Sequence, residues 1–313
     1  MSRAFIFPGQ GSQAVGMGKD LAASFLAARE VFEEVDDALK QRLSHLMFEG
    51  PEDELVLTEN AQPALMALSL AVMRTLERQG GLRLTEAAGF AAGHSLGEYS
   101  ALAAAGTFSV WDAALLLRAR GQAMQQAVPV GIGAMAAILG LGLEAVRGVV
   151  AQAAEGEICS TANDNSDEQV VVSGHAGAVA RAVELAKAKG AKRGIMLPVS
   201  APFHCALMQP AADAMAQRLA DVAMAAPVVP VVANVSASPE RDPAEIRTLL
   251  VDQVCQLVRW RESVLAMRAQ GIDTFVEVGA GKVLSGLVRR IDRDAQCHAV
   301  GTPAEIEAFL KTV

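Results

Sequence analysis

The apolar residues of this chain follow two patterns, which together predict alternating strands and helices. Short, mostly apolar runs bounded by glycine, proline or polar residues predict buried strands, whereas apolar residues three and four positions apart predict helices. The first pattern predicts strands at 3–7, 87–92, 230–235 and 274–278. The second predicts helices at 20–42, 60–79 with Pro63 in its first turn, 98–105, 112–127 (or from 109), 207–223, 243–256, 260–270 and 282–291. This alternation indicates an α/β fold with a mostly parallel central sheet.

The middle of the chain changes character. It contains a polar segment, Asn163–Asp167, which predicts a turn, and around it we predict strands at 133–139, 158–162, 169–173 and 193–199 and helices at 143–154 and 176–189. The order βαββαβ is that of a ferredoxin-like unit. We therefore expect an inserted ferredoxin-like α+β subdomain at 128–197. The flanking segments 1–127 and 198–313 would form a discontinuous, α/β-hydrolase-like catalytic subdomain.

Composition and charge narrow the possible function classes. Hydrophobic residues make up 52% of the 313 residues, enough for a large core. The formal net charge of −8 argues against nucleic acid as a partner, because phosphate binding requires clustered cations. None of the four cysteines forms a Cys-x-x-Cys pair, so neither a metal site nor a disulfide framework is indicated, and reduced thiols fit a cytoplasmic protein. The longest apolar stretch, 129–143, is shorter than the roughly 20 residues of a membrane helix, so no membrane partner is expected.

The pentapeptide Gly93-His94-Ser95-Leu96-Gly97 lies between a predicted strand and a predicted helix. A serine at such a turn has an exposed hydroxyl, and the flanking glycines leave room for a tight bend. The following helix N-terminus offers free N–H groups and a positive dipole end, which stabilise an oxyanion formed when the serine attacks a carbonyl. The motif therefore predicts a covalent acyl-handling enzyme with Ser95 as its nucleophile.

A serine nucleophile needs a base, and the chain has five histidines. His94 is adjacent to Ser95, but adjacent side chains at a strand end diverge. His204 stands in a stiff Pro-Phe-His loop where the chain leaves the inserted unit, and His298 lies near the C-terminus, where an α/β-hydrolase keeps its base. Geometry rather than sequence order defines a catalytic pair, so both His204 and His298 stay open as candidates.

Arg120 is the second suggestive residue, because it lies in a leucine-rich helical segment at 115–121. A guanidinium on an apolar helix is costly unless it finds a carboxylate. Two interpretations are open: an exposed or salt-bridged arginine, which is common on protein surfaces, and a fork that binds a substrate carboxylate.

Five separated motifs occur along the chain in order. They are Phe7-Pro8-Gly9-Gln10-Gly11-Ser12-Gln13, Gly93-His94-Ser95-Leu96-Gly97-Glu98-Tyr99, Arg120, Ser200-Ala201-Pro202-Phe203-His204 and Glu277-Val278-Gly279-Ala280-Gly281-Lys282-Val283-Leu284. In this combination the chain resembles the malonyl-CoA:acyl carrier protein transacylases, the stand-alone bacterial enzymes of fatty acid synthesis. The resemblance runs essentially from end to end.

The resemblance implies a role for each matching residue. Ser95 would be the nucleophile and His204 the base, which favours His204 over His298. The histidine would be oriented by a backbone carbonyl, and the matching residue is Gln253. Gln10 would help to form the oxyanion hole with the backbone N–H of Leu96.

The resemblance also implies how the substrate is recognised. Arg120 would pair with the free carboxylate of malonate, Asn163 would help to line the cleft, and Phe203 would form a bulky wall beside the base. The partners would be malonyl-CoA and acyl carrier protein, and the family's ferredoxin-like subdomain matches the unit at 128–197. The reaction would proceed through an O-malonyl serine with no metal or redox cofactor.

Three alternatives remain at this point. A malonyl transferase of another pathway would use the same residues on a different carrier. A lipase or thioesterase would use Ser95 with His298 and release free acid. A non-catalytic carrier-binding protein would keep the fold, although intact Ser95, His204 and Arg120 argue against it.

Overall fold

The strands form two separate sheets in this computed structural model, which describes residues 2–199 and 201–312. Ser200, at the start of the predicted Ser200–His204 motif, lies outside the described residues. The ten strands are β1 (Arg3–Phe7), β2 (Phe90–Gly93), β3 (Gly133–Leu139), β4 (Cys159–Ser166), β5 (Gln169–His175), β6 (Arg193–Met196), β7 (Val231–Val232), β8 (Pro239–Glu240), β9 (Thr274–Val278) and β10 (Gln296–Val300).

The larger sheet has the order β10-β9-β1-β2-β7-β8. All neighbouring strands are parallel except β8, which pairs with β7 in the antiparallel sense. Four of the five residues of β1 are buried, as are all five of β9, because helices cover both faces of a parallel sheet. The predicted α/β class with a mostly parallel sheet is confirmed.

Fifteen α-helices surround the sheets in the described part of the chain. They are α1 (Lys19–Ser24), α2 (Leu26–Leu39), α3 (Leu43–Glu49), α4 (Glu52–Leu55), α5 (Thr58–Gly80), α6 (Leu84–Ala87), α7 (Leu96–Ala104), α8 (Val110–Gln126), α9 (Leu143–Ala153), α10 (Ala176–Ala188), α11 (Gln209–Ala220), α12 (Pro243–Asp252), α13 (Trp260–Ala269), α14 (Val283–Ile291) and α15 (Pro303–Leu310), with a short 3₁₀ helix at Ala206–Met208. Among the described residues, no helix is both long enough and apolar enough to span a bilayer.

The smaller sheet is antiparallel and has the order β4-β5-β3-β6. When β3 to β6 are numbered 1 to 4 within the unit, the order is 2-3-1-4 from one edge and 4-1-3-2 from the other, which is the ferredoxin-like strand order. Helices α9 and α10 pack their apolar residues on one face of this sheet. The ferredoxin-like unit is therefore present. The subdomain limits at 128 and 197 stay a prediction.

The predicted polar turn at Asn163–Asp167 is wrong. Strand β4 continues to Ser166, with register shifts after Thr161 and Asp164, so that a bulged strand replaces most of the turn. The continuation is held from outside the small sheet: Asn163 forms a parallel bridge to Val258, and Asp164 N–H donates to the Val258 carbonyl at 2.9 Å. The prediction failed because a strand that bonds to segments on both sides can carry polar residues, and in sequence such a run resembles a turn.

Two helix predictions also need correction. The segment 20–42 forms two helices, because Phe25 adopts an extended conformation (φ −129°) between α1 and α2. Helix α5 begins at Thr58, so Pro63 is an interior residue and not part of the first turn. Strand β10 and helix α15 were not predicted from the sequence.

The turn from β2 into α7 depends on two close backbone contacts. A Cβ added at Gly93 would lie 1.9 Å from the Gly97 carbonyl group, and one added at Gly97 would lie 2.2 Å from the carbonyl oxygen of Phe7 on β1. Real side chains do not approach backbone atoms so closely. Both glycines of the pentapeptide are therefore required by packing, as the sequence motif predicted.

We expect Gly97→Ala to destabilise the protein by about 3 kcal/mol or more, because the added methyl group must displace β1 or α7. Gly148→Ala is the matched control: Gly148 is exposed within α9, and an added Cβ meets nothing within 4 Å. That control should gain about 0.5–1 kcal/mol from helix propensity. Chemical denaturation of the three proteins measures both changes, and a Gly97→Ala protein as stable as the wild type would contradict the packing argument.

Candidate active site

Ser95 lies at the point where β2 ends and α7 begins. Its backbone is held in a rare conformation (φ 55°, ψ −111°), which is strained for a residue with a side chain. Asn234 fixes this turn from below, because its Oδ1 accepts the Ser95 N–H at 2.7 Å and its Nδ2 donates to the Gly93 carbonyl at 2.7 Å. The strained turn directs the Ser95 hydroxyl into a cavity.

His204, from the loop that follows the small sheet, meets this hydroxyl. Its Nε2 lies 2.8 Å from Ser95 Oγ, and its Nδ1 lies 2.8 Å from the backbone carbonyl oxygen of Gln253. A carbonyl can only accept, so Nδ1 carries the proton and Nε2 accepts the Ser95 O–H. His298 lies on β10 with its ring 6.1 Å from that of Phe309, and it does not line the cavity. The structure therefore pairs Ser95 with His204 rather than with His298.

The carbonyl that orients His204 is available because of where a helix ends. Gln253 is the C-terminal cap of α12, and the last carbonyls of a helix have no partner within it. The negative end of the helix dipole at this position also favours a proton on the facing imidazole. A helix end thus provides the acceptor for the His204 Nδ1–H that an aspartate provides in a Ser-His-Asp triad.

Arg120 is buried from water, with 1% of its surface exposed. Its Nη1 donates to Gln62 Oε1 at 2.7 Å, and its Nη2 donates to Gln253 Oε1 at 2.8 Å and to Ser95 Oγ at 3.2 Å. The guanidinium also lies 5.6 Å from the centre of the Tyr99 ring. No carboxylate of the described residues contacts Arg120, so a buried cation faces the cavity beside Ser95.

Below Arg120, Glu98 completes a buried polar network. Its carboxyl group accepts from Gln253 Nε2 at 2.7 Å and from the Asn234 N–H at 3.0 Å. Burial raises the pKa of Glu98 to about 7, and the Gln253 hydrogen bond opposes that rise. The Gln253 amide therefore stands between a buried cation and a buried acid, accepting from one and donating to the other.

The environment of His204 keeps its imidazole neutral. Burial and the nearby Arg120 guanidinium together lower the pKa of His204 to about 3, against the opposing effect of the Gln253 hydrogen bond. A neutral imidazole is the form that accepts a proton. His204 is thus able to accept a proton across the ordinary pH range.

The remaining sequence-predicted residues surround the Ser95 hydroxyl. Gln10 and Leu96 both line the cavity, and the N–H groups of both lack an acceptor among residues 2–199 and 201–312. Asn163 lines it from β4, and Phe203 lines it beside His204. Gln253 is fully buried behind this wall and does not line the cavity.

The cavity has a volume of about 310 Å³ and lies between the two sheets. Its apolar lining comes from both sides, with Met124 on α8 and Met135 on β3. Residues 2–199 and 201–312 contain no group of three or more His, Cys, Asp or Glu side chains placed to hold a metal ion.

The sequence did not identify Gln62, Asn234 or Glu98. Glu98 stood within a quoted motif, yet its burial under the turn was not visible. Gln62 could have been found as a polar residue on the buried face of an apolar helix, and Asn234 as a polar residue just after a parallel strand, where ligand sites form. Each of these residues touches Ser95, Arg120 or Gln253.

A family model described as "Acyl transferase domain" matches residues 4–303. The chain belongs to this acyl transferase family. A malonyl CoA-acyl carrier protein transacylase of Bacillus subtilis (strain 168) is 47% identical over 311 residues, covering 99% of this chain and 96% of that protein. The resemblance expected from the sequence motifs is confirmed.

Solved structures agree with the assignment of this chain to the acyl transferase family. The crystal structure of an acyl-carrier-protein S-malonyltransferase from Bartonella henselae is 58% identical, covers 100% of this chain and 99% of that chain, and superposes with a TM-score of 0.98. A structure of a malonyl-transacylase in complex with its type II PKS acyl-carrier protein is 43% identical, covers 100% of both chains and has a TM-score of 0.97.

We expect His204 of this acyl transferase to stay neutral from about pH 8 down to about pH 5, whereas an ordinary histidine becomes protonated over that range. Arg120→Met, which keeps the site filled but removes the charge, should raise the pKa of His204 because a repelling cation is lost. NMR titration of ¹⁵N-labelled histidines measures the pKa of His204 in both proteins. A His204 that becomes protonated near pH 6.5 in the wild-type protein would show that burial and Arg120 do not keep its imidazole neutral.

Proposed function

We propose that this protein transfers the malonyl group from malonyl-CoA to the phosphopantetheine thiol of acyl carrier protein, through an O-malonyl serine and in ping-pong order. The supporting observation is the position of Ser95 Oγ, which lies 2.8 Å from a neutral base and 3.2 Å from a buried, carboxylate-free guanidinium. The names of the relatives, malonyl CoA-acyl carrier protein transacylase and S-malonyltransferase, support the same reaction.

In the first half-reaction, Ser95 Oγ attacks the thioester carbonyl while His204 Nε2 takes the hydroxyl proton. The charge that develops on the carbonyl oxygen is stabilised by the N–H groups of Gln10 and Leu96; one such donor contributes roughly 2.7–4 kcal/mol. The carbon–sulfur bond then breaks, and His204 returns the proton to the departing CoA thiolate. The products are free CoA and malonyl-serine.

In the second half-reaction, the carrier's thiol gives its proton to His204 and attacks the serine ester. The same donors stabilise the second oxyanion, the ester bond breaks, and His204 returns the proton to Ser95. Exchange between a thioester, a hydroxyl and a thiol requires a base and oxyanion donors, so we propose that the enzyme uses no metal or redox cofactor.

Arg120 gives the reaction its acyl selectivity. The malonyl carboxylate is two bonds from the carbonyl carbon that Ser95 attacks, and Arg120 Nη2 already reaches Ser95 Oγ. A bidentate carboxylate would provide the buried guanidinium with an opposite charge. An acetyl group would leave the cation buried and unpaired, which costs the wrong substrate free energy.

We also propose where the reaction takes place. Malonyl-CoA would enter between the segment 128–197 and the body formed by 1–127 and 198–313, because the cavity is lined from both sheets. The four cysteine thiols are unpaired in the structure, which fits a reducing cytoplasm. The transferred group would supply fatty acid synthesis.

Incubation with malonyl-CoA in the absence of a carrier should add about 86 Da to the protein at Ser95. Ser95→Ala should abolish the adduct, and His204→Ala should slow its formation severely because the base is lost. His298→Ala is the control, since His298 lies away from the cavity. Intact-mass and peptide mass spectrometry measure these outcomes. Rapid release of free malonate by the wild-type protein would instead indicate a hydrolase.

We expect Arg120→Ala to reduce malonyl transfer by about 100-fold or more while reducing acetyl transfer much less, because only malonyl has a carboxylate to lose. Arg118→Ala is the matched control: Arg118 lies on the same helix but donates to Asn60 and Gln41, away from Ser95. Steady-state kinetics with both acyl-CoA substrates measures the ratio. Equal losses for the two substrates would count against carboxylate binding by Arg120.

A further inference from the structure

A chain of hydrogen bonds connects Arg120 to Gln10 across the buried end of α5. Arg120 Nη1 donates to Gln62 Oε1 at 2.7 Å, Gln62 Nε2 donates to Thr58 Oγ1 at 2.9 Å, and Thr58 Oγ1 donates to Gln10 Oε1 at 2.9 Å. Thr58 and Gln62 are one turn apart, so their side chains lie on the same face of the helix. Arg120, Gln62 and Gln10 line the same cavity as Ser95.

The direction of the chain is fixed by the chemistry of its members. A guanidinium only donates, so the Gln62 carbonyl oxygen must face Arg120 and its amide nitrogen must face Thr58. The second N–H of that nitrogen reaches Met124 Sδ at 3.7 Å, so both amide hydrogens are used. The Thr58 oxygen therefore accepts from Gln62, and its only proton goes to Gln10 Oε1. One orientation of each group satisfies all of these bonds.

Burial makes the chain rigid. Thr58 has 0% of its surface exposed and Gln62 has 1%, so water does not compete for the Arg120–Gln62 and Gln62–Thr58 bonds, whereas Gln10 at the end of the chain is half-buried. Helix α8, which carries Arg120, packs closely against α5 at this point, because a Cβ added at Gly121 would lie 2.7 Å from the Thr58 carbonyl oxygen. No layer of solvent therefore separates the two helices beside the hydrogen-bond chain.

We propose that Thr58 is a positioning residue that couples the recognition of the acyl carboxylate at Arg120 to the placement of Gln10 beside the reacting carbonyl. This inference rests on the function proposed above. A bound carboxylate adds an anionic partner to Arg120, beyond the neutral oxygens of Gln62 and Gln253, and the hydrogen-bond chain then holds the loop that presents the Gln10 N–H. An acyl group without a carboxylate leaves Arg120 with these neutral oxygens only, so Arg120 is less firmly fixed and the oxyanion donor is less well placed.

The coupling has a kinetic consequence. Discrimination between malonyl and acetyl groups would be expressed in the chemical step as well as in binding, because a better-placed oxyanion donor stabilises only the transition state. Loss of the Thr58 hydroxyl should therefore lower kcat more than it changes KM. A residue that only stabilises the fold would not produce this division.

Thr58→Val tests the proposal, because valine keeps the branched shape and removes both hydrogen bonds. Thr58→Ser retains the hydroxyl and should restore the coupling. Thr75→Val is the matched control: Thr75 is equally buried on the same helix, but its hydroxyl donates to the Ala71 carbonyl, away from the cavity. Gln62→Met, which removes the hydrogen bonds that link Arg120 to Thr58, provides a second test if Thr58→Val does not fold.

For malonyl transfer to acyl carrier protein, we expect Thr58→Val to lower kcat by about tenfold, with KM changed by less than about twofold. Thr58→Ser should retain at least about a third of the wild-type kcat, and Thr75→Val should behave as the wild type in kcat. Arg120→Met removes the first donor of the hydrogen-bond chain, so in that background Thr58→Val should lower kcat by less than about threefold.

The double-mutant comparison is decisive. Equal factors for Thr58→Val in the wild-type and Arg120→Met backgrounds would overturn the coupling, as would a wild-type kcat in Thr58→Val. The failure of the proposed function looks different, because the wild-type protein would then form no malonyl adduct at Ser95, and both proposals would fall. Formation of the adduct with no effect of Thr58→Val would overturn this inference alone.

Discussion

The interaction on which the site depends is the burial of the Arg120 guanidinium without a carboxylate partner. An unpaired cation in the interior costs free energy unless polar groups replace its water. Here the side-chain oxygens of Gln62 and Gln253 and the hydroxyl of Ser95 take that place, and the charge of Glu98 lies one amide further away. Because these neutral oxygens only partly replace water, the site retains an attraction for an incoming anion.

The same cation also acts on His204. The Gln253 residue contacts Arg120 with its side chain and His204 with its backbone, so the end of α12 places both groups at once. Burial and, after it, the Arg120 charge lower the pKa of His204, while the Gln253 carbonyl fixes which nitrogen carries the proton. One capping residue therefore contacts Arg120, His204 and Ser95 at once.

The sequence predicted the parts of the fold that are governed by local chemistry. The strand–turn–helix around Ser95 and the strand 274–278 follow from glycine spacing and apolar runs. The pairing of Ser95 with His204 came from resemblance, since spacing alone left His298 open. The polar strand β4 and the network through Gln62, Asn234 and Glu98 were missed, because their polar residues are satisfied by partners distant in sequence.

The bulged end of β4 has a consequence for how substrate range could change. Asn163 is bonded into its own sheet on one side and bridged to Val258 on the other, while Asp164 receives a hydrogen bond from Arg261 on α13. Strand β4 is thus bonded to both bodies beside the cavity. Because these bonds oppose separation of the two bodies, space for a longer acyl group would have to come from smaller side chains at cavity-lining positions such as Met135 and Leu197.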